Sequence, residues 1–391
     1  MGIGLRGGRP VAAAAVVTVG VVVALRVVTS AEAATPDEVL SPCLGPQCPA
    51  TYPEPNNGAW AGRDAAVNIF VGGDLRVREN AAEAEGRIVV MGDLDVDKST
   101  ANPCYDMGAV GVGSRVVPPD DSDFVTVGGS AVVAAANTVS IGSVDLTATP
   151  AWGNVVHAGA LDPARFDVLA PGDIRQDPDA AAPYADVATT IPDLSDCLAE
   201  QAATGTVVVA GGQATFNGDG TSALQVFDVD QDLGTANSGL GFTFVGIPAD
   251  ATVVVNLNGA SRLVNTFSGG AGDPIDSLRT RLVWNAPETT SLTITGFPQF
   301  QGSLMAGNPA GTTNIDVPGT NGRIALAGDL VHSGDGSATD QPGGPAQNGT
   351  IPGVGASPGL LTALLLGGGL LLAGTALVVV ALRRREPAEQ E

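Results

Sequence analysis

At 391 residues the chain is long enough for one large domain with additional segments at either end. Its formal net charge of −23, with 41 Asp and Glu against 18 Lys and Arg, argues against nucleic acid or anionic lipid as a ligand, since both need a basic surface. Two His and four Cys leave little material for metal or nucleophile chemistry.

The first 33 residues read as a secretory signal. Arg6 and Arg9 form a positive start, an Ala/Val-rich run covers 11–25, and Ala31 and Ala33 set a cleavage site after Ala33. An uncleaved N-terminal anchor is the alternative, because Arg26 and the following Val pair blur the end of the run. Cleavage removes three Arg and one Glu and leaves the mature chain near −25. Residues 34–57 carry six prolines and predict an irregular lead-in.

From 58 to 332 a short phrase recurs. Residues 69–77 read I-F-V-G-G-D-L-R-V and 88–96 read I-V-V-M-G-D-L-D-V, with looser copies at 110–116, 124–133, 139–146, 207–216 and 324–331. Gly73, Gly92 and Gly111 stand 19 residues apart, and Gly128 and Gly142 follow at shorter steps. One strand–corner–strand unit per repeat predicts an all-β fold, a β-solenoid (right-handed β-helix-like) whose stacked coils share a narrow aliphatic core. Glycine at the corner lets the chain take a positive φ and allows the next coil to approach closely. A β-sandwich with glycine-rich hairpins is the alternative. Residues 162–170 and 193–203 look helical, and the Pro- and Asp-rich stretch 171–192 joins them as an insertion along the side of the solenoid.

Residues 333–359 are rich in Gly, Pro and Ser and predict a stalk. The 23 uncharged positions 360–382 are long enough to cross a bilayer. Arg383, Arg384 and Arg385 begin a tail, 383–391, that the positive-inside rule keeps cytoplasmic. The expected localisation is therefore the cell membrane, single-pass, with the ectodomain outside. In that compartment Cys43, Cys48, Cys104 and Cys197 predict two disulfides, for which three pairings exist. The sequence favours Cys43–Cys48 and Cys104–Cys197, and zinc is a poor alternative because a second close Cys pair is missing.

In order along the chain stand N-I-F-V-G-G-D-L at 68–75, G-R-I-V-V at 86–90, G-D-L at 92–94 and V-F-D-V-D at 226–230. These are followed by T-V-V-V-N at 252–256, L-V-W-N at 282–285, F-Q-G-S at 300–303 and N-G-R-I at 321–324. This ordered set resembles the choice-of-anchor A family of bacterial surface proteins across residues 58–332. The resemblance implies an adhesive ectodomain joined to one of several kinds of C-terminal anchor. Some members look to end in a sortase signal, whereas this chain has only I-P-G-V-G at 351–355 before its apolar run, which favours membrane retention.

The residues offer few routes to catalysis. His157 and His332 lie in no metal or nucleophile motif and read as surface or edge residues. Asp228, Asp230 and Asp232 alternate, which puts them on one strand face and makes Ca²⁺ the one cofactor candidate; a solvent-facing acidic strand is the plainer reading. Asp120, Asp121 and Asp123 read as a solvated loop. Asp74 and Asp93 occupy equivalent corners. They suit either backbone capping or the paired-acid chemistry of a polysaccharide-acting β-helix hydrolase or lyase. Thr147 with Thr149 and Thr293 with Thr295 alternate but do not recur coil after coil, a weak sign of a crystal-surface binder. The expectation is a non-catalytic, membrane-anchored adhesin-like or envelope structural protein whose partner is an extracellular protein or glycan.

Overall fold

A computed structural model describes residues 43–111, 113–270, 272–334 and 350–351, besides Met1. The segments expected to be a signal peptide and a membrane span, the basic tail and nearly all of the expected stalk lie outside the described residues. Among the described residues no helix is long and apolar enough to cross a membrane.

The chain winds into coils whose strands stack in parallel on three sides. The longest sheet has ten strands. In spatial order they are Ile174–Gln176, Asn154–His157, Asp123–Val127, Arg87–Val90, Val67–Val71, Ile324–Leu326, Ser303–Ala306, Leu282–Ala286, Thr252–Leu257 and Leu224–Val229. A second sheet has seven strands: Ala131–Val133, Leu94–Lys98, Leu75–Glu79, Asp329–His332, Thr312–Asp316, Ser291–Gly296 and Ser261–Thr266. The third side is built in pieces. Phe166–Val168, Thr138–Ile141, Cys104–Gly108 and Glu83–Glu85, joined by Thr350–Ile351, close one half. Thr206–Ala210, Gln213–Asn217 and Gly241–Val245 close the other half near its end.

The coil order differs from the chain order. The chain enters in the middle at Val67–Val71 and climbs to Ile174–Gln176. It then crosses to the far end at Leu224–Val229 and winds back until Ile324–Leu326 pairs with Val67–Val71. The second sheet closes at the same seam, where Leu75, Arg76 and Val77 pair with Leu330, Val331 and His332. The repeat reading therefore holds for the coils but not for their spatial succession.

Helix α1 (Ala185–Ala199) makes the crossing. Its 15 residues span about 22 Å at 1.5 Å per residue. The five strand steps from Arg87–Val90 to Thr252–Leu257 span about 24 Å. The helix lies on the outer face of the ten-stranded sheet, where Val187, Ile191 and Leu198 pack on Phe70, Val89, Val254, Val283 and Met305. Polar bonds hold both ends. Arg87 donates to the Tyr184 hydroxyl (2.9 Å) just before the helix, and Asn285 Nδ2 donates to the Ser195 carbonyl (2.9 Å) near its end.

Covering both faces of one sheet explains its composition. V-N-I-F-V at 67–71 and T-V-V-V-N-L at 252–257 are buried at every position, as parallel strands between two layers must be. The second sheet has one wet face and alternates: L-R-V-R-E at 75–79 and S-L-T-I-T-G at 291–296 bury every other residue.

Two expectations about local structure change. Residues 162–170 form a single 3₁₀ turn, Pro163–Arg165, with Asp162 capping the Ala164 N–H, and then the strand Phe166–Val168. The helix starts earlier than 193 and runs through Pro192. Proline removes one helical hydrogen bond, and burial of Ile191 and Leu198 on the sheet offsets that loss. The insertion does lie along the side of the solenoid, as read from the sequence.

The seam is locked by a buried ion pair. Arg323 binds Asp64 at 2.5 Å, and both side chains are within a few per cent of complete burial. Asp64 also accepts from the Leu44 and Ala66 N–H groups and from the Tyr52 hydroxyl, all at 2.9 Å. Arg323 donates in addition to the Val67 carbonyl. The lead-in has no long regular element, yet it is tied down by the Cys43–Cys48 disulfide and by the Ala65 N–H bond to the Leu44 carbonyl. Arg323→Ala would leave the Asp64 charge buried without its cation. Chemical denaturation should register a loss of about 3–5 kcal/mol.

Glu85 is a second buried carboxyl. It accepts from the Ser114 N–H (2.8 Å), and burial pushes its pKa from 4.5 up to about 7 against the pull of the Ser114 bonds. The folded protein therefore holds a proton there that the unfolded chain releases above about pH 4.5. This contribution is complete below that pH and is lost as pH rises through 7, an effect of about 3 kcal/mol in all. Melting curves at pH 5 and pH 8 should show the fall, and Glu85→Gln should flatten it.

Candidate functional site: the open face of the second sheet

The Gly-Asp corners form a ladder along the solenoid. Asp329 Oδ1 accepts from the Asp74 N–H (2.9 Å), Asp74 Oδ1 from the Asp93 N–H (2.9 Å), and Asp93 Oδ1 from the Ser130 N–H (2.7 Å). Ser130 Oγ then accepts from the Ala160 N–H (3.1 Å). The glycine beside each rung makes room for it. A Cβ on Gly73 would stand 2.1 Å from an Asp329 oxygen, one on Gly92 2.4 Å from Asp74, and one on Gly129 2.1 Å from Asp93. These glycines do not have positive φ, so close approach is the reason for them. Gly111 has nothing within 4 Å of its Cβ position and is no part of the ladder.

Asp74 and Asp93 are thus occupied by backbone capping, and Arg76 clamps Asp74 and Asp329 together at 2.8 Å each. The hydrogen bond to Asp329 raises the Arg76 pKa further above its ordinary value. Asp93→Ala should lower stability by about 1–2 kcal/mol in denaturant titration, the cost of one charge-assisted backbone bond.

The other sequence candidates disperse. Asp228 accepts from Asn256 Nδ2 (3.0 Å), Asp230 from Asn258 Nδ2 (3.0 Å), and Asp232 from the Leu263 N–H (3.0 Å). Each carboxylate is engaged by a different residue of the neighbouring coil. Among the described residues no group of three His, Cys, Asp or Glu could hold a metal ion. The exposed Asp228 carboxylate ends a polar row whose buried members are Asn256, Asn285 and the Ser195 hydroxyl of α1. Asp120 binds Arg63, and Asp123 binds Arg175.

Cys104 and Cys197 are free thiols, which corrects the expected second disulfide. Cys104 begins a third-side strand, whereas Cys197 rides on the helix outside the ten-stranded sheet. The histidines also depart from expectation, since both are buried: His332 Nδ1 meets the Tyr105 hydroxyl (2.9 Å), and His157 Nδ1 the Gly159 carbonyl (2.9 Å). Thr147 and Thr149 gather around Asp145 in a turn and line no sheet face.

What remains is the open face of the seven-stranded sheet. Register places Ser261, Ser291, Thr312 and Asp329 in one row, and Leu263, Thr293, Asn314 and Val331 in the next. Thr295 and Asp316 pair in a third row. These side chains are short, and all are exposed or half-buried. Rows lie about 4.8 Å apart between strands and about 6.8 Å apart along them. Past the seam the same face becomes charged: Arg76, Arg78, Asp95 and Asp97 point outward, and Arg78 pairs with Asp95. The sequence drew attention to Thr293 and Thr295, but their lateral partners emerge only from the register.

The fold and this face define a three-sided, discontinuous β-solenoid with one sheet covered by a helix and a second presented to solvent. A family model described as a putative ice-binding-like adhesive domain matches residues 66–325, and the chain belongs to that family. Two solved structures are similar at low identity. One is an ice-binding protein from the Antarctic ascomycete Antarctomyces psychrotrophicus, 16% identical, covering 61% of this chain and 96% of that one, with a TM-score of 0.29. The other is an ice-binding protein from an Antarctic biological consortium, 14% identical, covering 79% and 91%, with a TM-score of 0.30. No curated protein matches the sequence significantly.

Proposed function

We propose that this chain is a non-catalytic adhesin of the bacterial cell surface, held by its C-terminal apolar run and presenting the open seven-stranded face to an external ligand. The observation that carries the reading is the mainly uncharged patch of Ser, Thr, Asn and aliphatic side chains, with only Asp316 and Asp329 on its rows, on an otherwise strongly acidic protein. Flat sheets of short hydroxyl and amide groups suit a polar, extended ligand, which lies across several strands and finds a donor or acceptor on each. A glycan or an extended protein segment fits that description. Membership of the adhesive-domain family supports surface binding. The ordered motifs shared with choice-of-anchor A proteins support membrane display.

Ice is a less fitting ligand for this particular face. Lattice matching calls for the same group at every step, whereas one row here runs Leu263, Thr293, Asn314, Val331 and another ends on Asp316. The hydrolase or lyase alternative loses its best residues, because Asp74 and Asp93 both accept from backbone N–H groups and Asp74 is also held by Arg76.

Arrays of cell-wall glycans and extracellular matrix proteins, probed with the purified chain, test the proposal. Saturable binding should appear with the ligand left intact, and Asn314→Lys together with Thr293→Lys should weaken it at least tenfold without moving Tm. Asp97→Lys, on the charged half, should matter far less. Absence of binding, shortening of a bound glycan, or indifference to the double substitution would each refute it. Ice-crystal shaping measured alongside should be absent.

A further inference from the structure

The end of the solenoid at Leu224–Val229 carries a hairpin, Thr206–Ala210 with Gln213–Asn217, that reaches beyond the last coil. Gly211 and Gly212 make its two-residue turn, both at positive φ (59° and 78°), the conformation a tight hairpin needs. In such a hairpin the flanking pair Ala210–Gln213 exchanges both backbone bonds, and the alternation repeats at Val208–Thr215 and Thr206–Asn217. Val207 and Val209 therefore aim their N–H and C=O groups at the opposite edge. Among the described residues no strand pairs there, since Thr206–Ala210 ends its sheet.

Natural edge strands are blunted by charge, proline or a bulge, and this one has none. No charged residue occurs between Glu200 and Asp219, and the pairing with Gln213–Asn217 is unbroken. Val208 is 52% exposed and Val209 37%, with Val245 on the same small sheet at 49%. Val207 and Val209 also lie on the same side as Ala214 and Phe216, which belong to the main core.

We infer that this edge pairs with the same edge of a second copy, joining two solenoids end to end. The strand is self-complementary in antiparallel orientation about Val208. Val207 of each copy then exchanges backbone bonds with Val209 of the other, and the two Val208 side chains meet at a non-hydrogen-bonded position. Electrostatics select this contact, because it brings together uncharged stretches of two chains that each carry −23 and repel over most other approaches. Each core gains a layer, because Val207 and Val209 of one copy adjoin those of the other beyond Phe216.

Sedimentation of the full-length chain in a mild detergent tests the inference. A concentration-dependent dimer is expected, and V209K should shift it to monomer with the circular dichroism of the folded chain unchanged, since the residue is more than a third exposed. V208C, made with C104S and C197S, should form a covalent dimer under mild oxidation, through Cys side chains facing across the two-fold. A monomer at every concentration, a dimer unmoved by V209K, or a dimer that V208C fails to cross-link would overturn the inference.

Discussion

The pairing of Val67–Val71 with Ile324–Leu326 is the contact on which the rest of the solenoid depends. Without it the two runs of coils would be separate stacks, each with an open parallel edge. Asp64 and Arg323 stand at that junction, and their bonds reach Leu44, Tyr52, Ala66 and Val67. A buried ion pair adds less to net stability than its strength suggests, because both charges lose their water. Its value here is register. A slip of one residue would turn the apolar side of a strand outward, and the Asp64–Arg323 bond is made only in the correct alignment.

The seam dictates the return path, and the return path decides which side can meet a ligand. A chain that starts in the middle of the stack must travel back across the coils to begin the second run. Helix α1 does so over the ten-stranded sheet, burying its outer face under Val187, Ile191 and Leu198. The seven-stranded sheet is left open, with its row chemistry divided at the seam. Rows dense in Arg and Asp come from the first coils, and rows mainly of Ser, Thr and Asn come from the last ones. The corner ladder ignores the division: Asp329 caps Asp74 as Asp74 caps Asp93, so the last coil abuts the first as though they were consecutive in the chain.

Much of the coil was legible because its causes are local. Gly-Asp at 73–74 and 92–93 records a carboxylate of one coil against the glycine of the next, and the alternation at 75–79 and 94–98 records a sheet with one wet face. Other features misled for equally physical reasons. Pro192 looked like a helix boundary, since it costs a helical bond, but packing on the sheet outweighs that cost. An even number of cysteines in a chain expected to be exported suggests two bridges, yet Cys104 and Cys197 sit on separate layers. The Asp228 carboxylate served a buried amide row whose members are 28 and more residues away. The candidate face was half visible: Thr293 and Thr295 announce an outward strand, but Ser261 and Thr312 become their neighbours only through pairing.

By itself, then, the sequence determined the unit of this protein. It sets a strand, a glycine corner and a second strand, with acidity and end segments that expect life outside the cell. These follow from backbone sterics, side-chain period and charge, which act over a few residues. Tertiary structure decided the order in which the units stack, the side the helix covers and the face left open. No local preference distinguishes Arg87–Val90 from Ile324–Leu326 as a neighbour for Val67–Val71, and the central strand takes one on each edge. The entropy of closing so long a loop grows only slowly with its length, so burial and the Asp64–Arg323 bond, rather than nearness in the chain, settle the arrangement.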